Sequence, residues 1–235
     1  MEKVTKSVAG ILMTALLVAS CSKGLERSSF EKFEITDAGG ESFEAAAYVP
    51  QGYDRSNTYP VIYVADGALF SQKGFIHRTD SLIENRIISP VVIACAFGIN
   101  GRTDVFTDAF IPAVEKKFSV MSDRDGRYFL GIGGSADMGL ALSMTRPELI
   151  HEYWGISPEN ADVSSYGMLK EKVSYAICWG AKEESAKSFD FYPALIQSIR
   201  KRGGSVRNWT FGSDLGAGEW EEAFIRMLEE SFPFE

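Results

Sequence analysis

Residues 123–149 read DRDGRYFLGIGGSADMGLALSMTRPEL. Within them, Tyr128–Ile132 is a short apolar run rich in aromatic and branched side chains, which predicts a buried β-strand. Ser135–Thr145 has helical spacing, and Pro147 follows at the place where a proline ends a helix. The glycines between the two runs predict a tight turn. A strand that passes directly into a helix is typical of a parallel sheet covered by helices.

The chain on either side repeats this alternation of strand-like and helical runs. The other predicted strands are Phe30–Thr36, Ser42–Val49, Val61–Ala65, Val91–Phe97, Tyr153–Ile156, Tyr175–Trp179 and Arg207–Phe211. The other predicted helices are Thr79–Arg86, Ala109–Phe118, Phe191–Arg202 and Glu219–Glu230. Turn-forming residues 37–40 separate the first two strands, which predicts a hairpin.

These runs together predict an α/β fold with an eight-stranded, mostly parallel sheet and helices on both faces. The most apolar strands, and therefore the predicted central ones, begin at Val61, Val91, Tyr128 and Tyr153. Residues 30–235 are predicted to form a single domain.

Residues 1–20 have the pattern of a bacterial export signal. Lys3 and Lys6 precede the apolar stretch Val8–Ala19, which is too short to span a bilayer comfortably. The stretch ends in VASC at Cys21, which resembles a lipobox, in which the cysteine is acylated and becomes the mature N-terminus. An ordinary secretory signal that ends near a cysteine is the alternative. The lipobox interpretation predicts a lipid anchor at Cys21, a tether over residues 21–29 and an outer-membrane location in a Gram-negative cell.

The composition excludes several kinds of partner. The net charge is −8 and no run of lysine or arginine occurs, which argues against nucleic-acid binding. The sequence has no CxxC pair and no His/Cys cluster, so it predicts neither a metal site nor a cofactor. Cys95 and Cys178 lie in separate apolar strand patterns, and we expect buried thiols there, although an exported location would permit a disulfide.

Several motifs resemble the esterase branch of the α/β-hydrolases, which includes esterase D, enterochelin esterases, and feruloyl and acetyl-xylan esterases. They are YVPQGYD at 48–54, YPVIYVADG at 59–67, IPAVE at 111–115, DRDGR at 123–127 with the following strand, PEL at 147–149, and the strand, loop and Trp-containing helix from Arg207 onward. Each motif is short, but their order and spacing make the resemblance specific. It covers nearly the whole chain after residue 29 and implies the α/β-hydrolase fold.

The resemblance also implies acyl transfer by a Ser-His-acid triad. In this family the serine lies in a G-x-S-x-G elbow, a sharp strand-to-helix turn that exposes the hydroxyl. The corresponding run here is Gly131-Ile132-Gly133-Gly134-Ser135, which puts Gly133 at the nucleophile position. Glycine has no side chain that could attack an ester. The oxyanion-binding groups implied by the resemblance are those near Asp66, Gly67 and Ala68 and the Gly134 amide.

The other two triad positions also depart from the family: the histidine is replaced and the acid has no histidine to orient. The family's histidine lies shortly before a tryptophan of the last helix, and here GAGEW at 216–220 puts Gly218 in its place. The only histidines, His77 and His151, do not follow the last strand, so we interpret them as surface or packing residues. Glu183 corresponds to the triad acid. Because there is no imidazole for it to orient, Glu183 is predicted to be a solvated loop carboxylate.

Two loops are shorter than the insertions that usually shape the substrate cleft in active relatives. They are the segments 98–108 and 158–171, which predict short cap loops. Arg102 and Asp104 lie in the first of them and are predicted to form a surface ion pair.

Two functional hypotheses follow. The first is a membrane-anchored, non-catalytic esterase-like domain used for binding or assembly, with a carbohydrate or protein partner. The second is an active carboxylic-ester hydrolase on an acylated carbohydrate or siderophore, with a displaced nucleophile such as Ser135. Two residues beyond the elbow, Ser135 is turned by about 200° on a helix, so we expect it to cap the helix while Asp137 complements the positive helix end. A carbohydrate-binding lipoprotein is a third hypothesis, which rests on analogy with the relatives.

Overall fold

The computed structural model describes residues 25, 27–65, 67, 73–99, 101–160, 162–182, 190–212 and 217–235. The predicted signal peptide 1–20, Cys21 and the first residues of the tether lie outside this part of the chain. None of the described helices is long and apolar enough to cross a membrane.

Eight strands form one sheet in the order β1-β2-β4-β3-β5-β6-β7-β8. Their bounds are Ser29–Thr36 (β1), Ser42–Val49 (β2), Val61–Val64 (β3), Val92–Ala96 (β4), Arg127–Ile132 (β5), Glu152–Ile156 (β6), Ser174–Gly180 (β7) and Ser205–Phe211 (β8). Only the β1–β2 and β2–β4 pairs are antiparallel. The other five pairs are parallel, so the eight-stranded, mostly parallel sheet is confirmed.

The four strands predicted to be central do occupy the middle of the sheet. In β3, β4 and β6 every residue is buried, and in β5 only the two end residues are partly exposed. Such near-continuous burial is what a parallel sheet covered on both faces requires.

The helices are α1 (Lys73–Glu84), α2 (Thr103–Val105), α3 (Ile111–Lys117), α4 (Gly134–Thr145), α5 (Phe191–Lys201) and α6 (Ala217–Ser231). A π-helical turn, Phe106–Phe110, joins α2 to α3. Helices α2 to α5 pack over one face of the sheet and α1 and α6 over the other, which confirms the prediction of helices on both faces.

Two predicted helix starts are each six residues too late. The first helix begins at Lys73 instead of Thr79, because Phe75 is buried against Phe224 of α6 and this packing overrides the weak helix propensity around Gly74. It ends at Glu84 because Arg86 has a φ of 54°. The second helical stretch begins at Thr103 instead of Ala109.

The π-turn explains that second difference. The N–H of Ile111 donates to the carbonyl of Phe106, five residues back. Pro112, next in the chain, has no N–H, so the regular hydrogen-bond ladder is interrupted there. The rings of Phe106 and Phe110 both pack in the core, 5.7 Å apart, so buried aromatic contacts favour helix on the N-terminal side of the proline.

The β1–β2 hairpin is linked to the loop after β4 by Arg102. Its guanidinium lies 2.8 Å from a carboxylate oxygen of Asp37 and 3.1 Å from one of Glu41, both at the hairpin turn. The predicted partner, Asp104, is farther away at 3.8 Å. A hydrogen bond from the backbone N–H of Glu41 lowers the pKa of Asp37, so this carboxylate is charged at neutral pH.

Cys95 lies on β4 and Cys178 on β7, and both are buried. Strands β3, β5 and β6 lie between them. At about 4.8 Å per strand the two thiols are about 19 Å apart, whereas a disulfide needs Cα atoms within about 7 Å.

Candidate functional site

The carboxyl ends of the parallel strands meet at one edge of the sheet, and the segments that follow them build the candidate site. They include Gly67 after β3, Phe97 after β4, the turn at Gly133 after β5 and the loop 157–160 after β6. In open parallel sheets this is the edge at which ligands bind, because strand-to-helix turns and helix N-termini converge there.

Gly133 is the sharp turn between β5 and α4, as predicted. Its backbone angles are φ 56° and ψ −126°, a conformation that a residue with a β-carbon adopts only under strain. The turn is fixed to the neighbouring strand, because the N–H of Gly133 donates to the carbonyl of Ile156 at 2.9 Å. The backbone therefore has the position and shape of a nucleophile elbow, although the residue in it is glycine.

Close contact between α4 and β5 sets the direction of this turn. A β-carbon on Gly131 would lie 2.5 Å from the N of Ala136 and from the carbonyl O of Ser135, both backbone atoms of α4. The hydroxyl of Tyr153 donates to the carbonyl of Ala136 at 2.8 Å. Burial raises the pKa of Tyr153 well above 10, so this hydroxyl keeps its proton and continues to donate.

Ser135 is the second residue of α4, and its hydroxyl is turned back into the fold. The Oγ accepts from the N–H of Ile132 and donates to the carbonyl of the same residue, both at 2.8 Å. The residue is 3% exposed. The expectation that Ser135 caps the helix is therefore wrong: Gly133 is the cap residue, and Ser135 bonds to the preceding strand because the elbow brings Ile132 within reach.

Asp137 lies in the first turn of α4, but its carboxylate bonds to the loop after β6. The two carboxylate oxygens accept the N–H groups of Glu159 and Asn160, each at 2.9 Å. On the other side of this loop, the hydroxyl of Tyr192 donates to the carbonyl of Pro158 at 3.3 Å. These contacts hold the loop against the Gly133 turn.

The same loop contains a strained residue. Ser157 has a φ of 51°, and its N–H donates to the carbonyl of Cys178 on β7 at 2.8 Å. Positive φ is uncommon outside glycine, and it persists only where surrounding contacts impose it. Hydrogen bonds to α4, α5 and β7 thus hold the loop after β6 in one conformation.

This conformation brings Glu159 over the elbow. A β-carbon on Gly133 would lie 2.8 Å from Oε1 and 3.4 Å from Cδ of Glu159. The carboxylate therefore occupies space next to that in which an elbow side chain would begin. Sequence reasoning missed Glu159; the available signal was an acidic residue three positions after a predicted central strand, at the edge where the strand ends converge.

The predicted oxyanion-binding groups are only partly described. Asp66 and Ala68 lie outside the described residues. Gly67 is buried, and a β-carbon on it would lie 2.0 Å from Cδ1 of Phe97, so the Phe97 ring packs where only glycine fits. Gly134 is exposed at the start of α4, with no atom within 4 Å of the position of a β-carbon.

Neither histidine lies at this site. His151 directly precedes β6, so it stands at the opposite edge of the sheet, about 20 Å of strand length from Gly133. Its Nδ1 is 3.4 Å from Oδ1 of Asp125 but without hydrogen-bond geometry. His77 is exposed on α1, which packs on the face of the sheet opposite to α4.

The remaining predicted triad positions are less well defined. Glu183 lies outside the described residues, as do residues 213–216 before the last helix. Gly218 is the second residue of α6. In the part of the chain that the structure describes, no group of three or more His, Cys, Asp or Glu side chains is arranged to hold a metal ion.

Comparison with known proteins shows what this architecture resembles. No known protein-family profile matches the chain. An endo-1,4-beta-xylanase/feruloyl esterase of Xylanibacter ruminicola is 25% identical over 148 residues, which is 52% of this chain and 20% of that protein. The chain thus spans about a fifth of the length of this relative.

Solved structures give a fuller match. The ferulic acid esterase of Anaeromyces mucronatus aligns with a TM-score of 0.69 and 12% identity over 88% of this chain and 91% of that chain. The ferric enterobactin esterase of Salmonella typhimurium aligns with a TM-score of 0.72 and 12% identity over 89% of this chain and 60% of that chain. These likenesses show the predicted α/β-hydrolase fold, and the solved structures and the sequence relative that the chain resembles are esterases.

Proposed function

We propose that this protein is a non-catalytic, membrane-anchored esterase-like domain that serves in binding or assembly. The observation that carries the proposal is Gly133 at the elbow. The turn has the backbone conformation of a nucleophile position, but it presents no hydroxyl, thiol or carboxylate of its own. A hydrolase triad loses most of its rate when any one member is missing.

The position of Ser135 argues against the displaced-nucleophile hypothesis. Its hydroxyl is buried and uses both its donor and an acceptor site on the backbone of Ile132. To attack an ester it would have to break both hydrogen bonds, at a cost of about 0.5–1.5 kcal/mol for each. Neither histidine is near enough to take its proton.

We infer that the partner is a carbohydrate, because the sequence relative is a xylanase/feruloyl esterase and the fold places a ligand edge at the strand ends. Fold alone does not determine the ligand, so this inference rests on the relative.

An ester-hydrolysis assay tests the proposal. Wild type and Gly133→Ser are both expected to hydrolyse p-nitrophenyl acetate no faster than buffer containing heat-unfolded protein, because a serine at 133 has no histidine to deprotonate it. Gly133→Ser should also lower the melting temperature by several degrees, since a side chain at φ 56° costs about 1–3 kcal/mol. Differential scanning fluorimetry measures that shift.

Ser135→Ala is the matched variant, and an active feruloyl esterase assayed in parallel shows that the assay detects turnover. Robust hydrolysis by wild type that disappears in Ser135→Ala would overturn the proposal and establish Ser135 as the nucleophile. Gly133→Ser/Gly218→His, which supplies both missing side chains, is expected to show weak hydrolysis at most.

We also propose that Cys21 carries a lipid anchor. Cys21→Ser is expected to move the protein from the membrane pellet to the soluble fraction, because a serine cannot be acylated at a lipobox and residues 22–235 lack an apolar stretch of about 20 residues. Fractionation of expressing cells with an immunoblot measures this. Retention of the Cys21→Ser protein in the membrane fraction would contradict the lipid anchor, and Cys178→Ser controls for the loss of a cysteine elsewhere.

A further inference from the structure

The geometry points to a specific role for Glu159: its carboxylate lies over the elbow and places a negative charge where an active hydrolase develops one. This inference rests on the proposed function, because it explains how the site is kept non-catalytic. The charge of Glu159 is a third obstacle to ester hydrolysis, independent of the missing hydroxyl and the missing imidazole.

The first argument is steric. A β-carbon on Gly133 would be 2.8 Å from Oε1 of Glu159, closer than unbonded carbon and oxygen atoms normally approach. Glu159 is exposed and Oε1 is the free end of a flexible side chain, so a side chain installed at 133 displaces it at low cost and leaves its charge beside the elbow. Gly134, the next residue, has no such neighbour within 4 Å, so the obstruction is confined to the elbow position.

The second argument concerns the loop that carries Glu159. Its backbone cannot simply withdraw, because Asp137 accepts the N–H groups of Glu159 and Asn160 and Tyr192 donates to the carbonyl of Pro158. Only rotation of the Glu159 side chain can make room. The carboxylate then still stands beside the elbow, tethered by a fixed backbone.

The third argument is electrostatic. The N-terminus of a helix favours a negative charge, and α4, with 12 residues, begins directly after Gly133. In an active elbow that field stabilises the charge that develops on the substrate. The Glu159 carboxylate, like that of Asp137 in the first turn of α4, opposes a second negative charge nearby, whether a thiolate or an oxyanion.

A thiol at position 133 reports this charge without requiring restored catalysis. In Gly133→Cys, the rate of alkylation by iodoacetamide is measured from pH 6 to pH 10, which gives the thiol pKa. Adding Glu159→Gln, which keeps the size and removes the charge, is expected to lower that pKa by about one unit. Alkylation at pH 7 should become several-fold to about tenfold faster.

Three controls accompany this comparison. Gly134→Cys, on the same helix end, should respond less to Glu159→Gln, because no side-chain atom lies near its β-carbon. Glu171→Gln removes an exposed glutamate close to the start of β7, at the opposite edge of the sheet, and should leave the Gly133→Cys thiol unchanged. All variants are made in Cys21→Ser protein, in which Cys95 and Cys178 are buried and label slowly. An unchanged pKa and rate in Glu159→Gln would overturn the inference.

A second measurement applies even if Gly133→Cys does not fold. Gly133→Asp is compared by thermal melting in wild-type and Glu159→Gln backgrounds. A cost that shrinks when the Glu159 charge is removed supports the inference, and an equal cost in both backgrounds contradicts it, because backbone strain alone would then explain the loss. Ester turnover by wild type would instead refute the proposed function, so the two failures are distinguishable.

Discussion

Gly131→Ala is expected to destabilise the protein by about 3 kcal/mol or more, the largest effect of any single methyl group in the candidate site. The added carbon would lie 2.5 Å from two backbone atoms of α4, the N of Ala136 and the O of Ser135. Backbone atoms cannot rotate away as a side chain can, so α4 must move off β5 and take the Gly133 turn with it. Urea unfolding followed by circular dichroism measures the loss.

Gly134→Ala is the control for that experiment. It adds the same methyl group three residues later, where nothing lies within 4 Å and φ is not positive. Because alanine favours a helix over glycine by about 1 kcal/mol, we expect this variant to be as stable as wild type or slightly more stable. Equal unfolding midpoints for Gly131→Ala and wild type would show that α4 does not contact β5 as described.

Arg207→Met is the second substitution with a large expected effect, about 3 kcal/mol of destabilisation at neutral pH, the low end for a buried pair because the Arg207 side chain is 36% exposed. Glu152, at the start of β6, is 4% exposed and is hydrogen-bonded by Arg207 and, at 2.8 Å, by the hydroxyl of Ser231. Removal of Arg207 leaves a buried carboxylate without its cationic partner. The free energy of unfolding in urea gives the magnitude.

Two comparisons make the Arg207 result specific. Glu152→Gln/Arg207→Met removes the uncompensated charge and should recover part of the lost stability. Lys32→Met breaks an ion pair with Glu44 whose side chains are 69% and 52% exposed, and it should change stability by less than about 1 kcal/mol. If Arg207→Met also changed stability by less than about 1 kcal/mol, solvent would have to reach Glu152.

Sequence patterns were sufficient to predict the strands, which four of them are central, and the position of the elbow. Each strand is a short run bounded by turn residues, and the resemblance around Gly131 and Pro147 fixed the register of the turn. Helix starts were predicted less well. Lys73–Arg78 has little intrinsic preference for a helix and becomes one through the contact of Phe75 with α6, which no local pattern contains.

The contacts within the site were the least predictable part. Serine is a residue type that often caps helices, yet the sharp turn directs the hydroxyl of Ser135 to Ile132. Asp137 and Glu159 are 22 residues apart in the chain, and their relation depends on β5 and β6 being adjacent, parallel and in register. Only the assembled sheet brings the carboxylate over the glycine.

The glycine at the elbow also bears on how such a chain could change over generations. Under the proposed function, a return to ester chemistry needs a nucleophile at 133 and a base at 218, and neither change alone yields turnover. The first change is also disfavoured by folding, because any side chain at φ 56° is strained. Selection that removes unstable variants would discard this intermediate before it became useful. Drift therefore reaches a glycine at this turn easily, and its reversal requires several coincident substitutions.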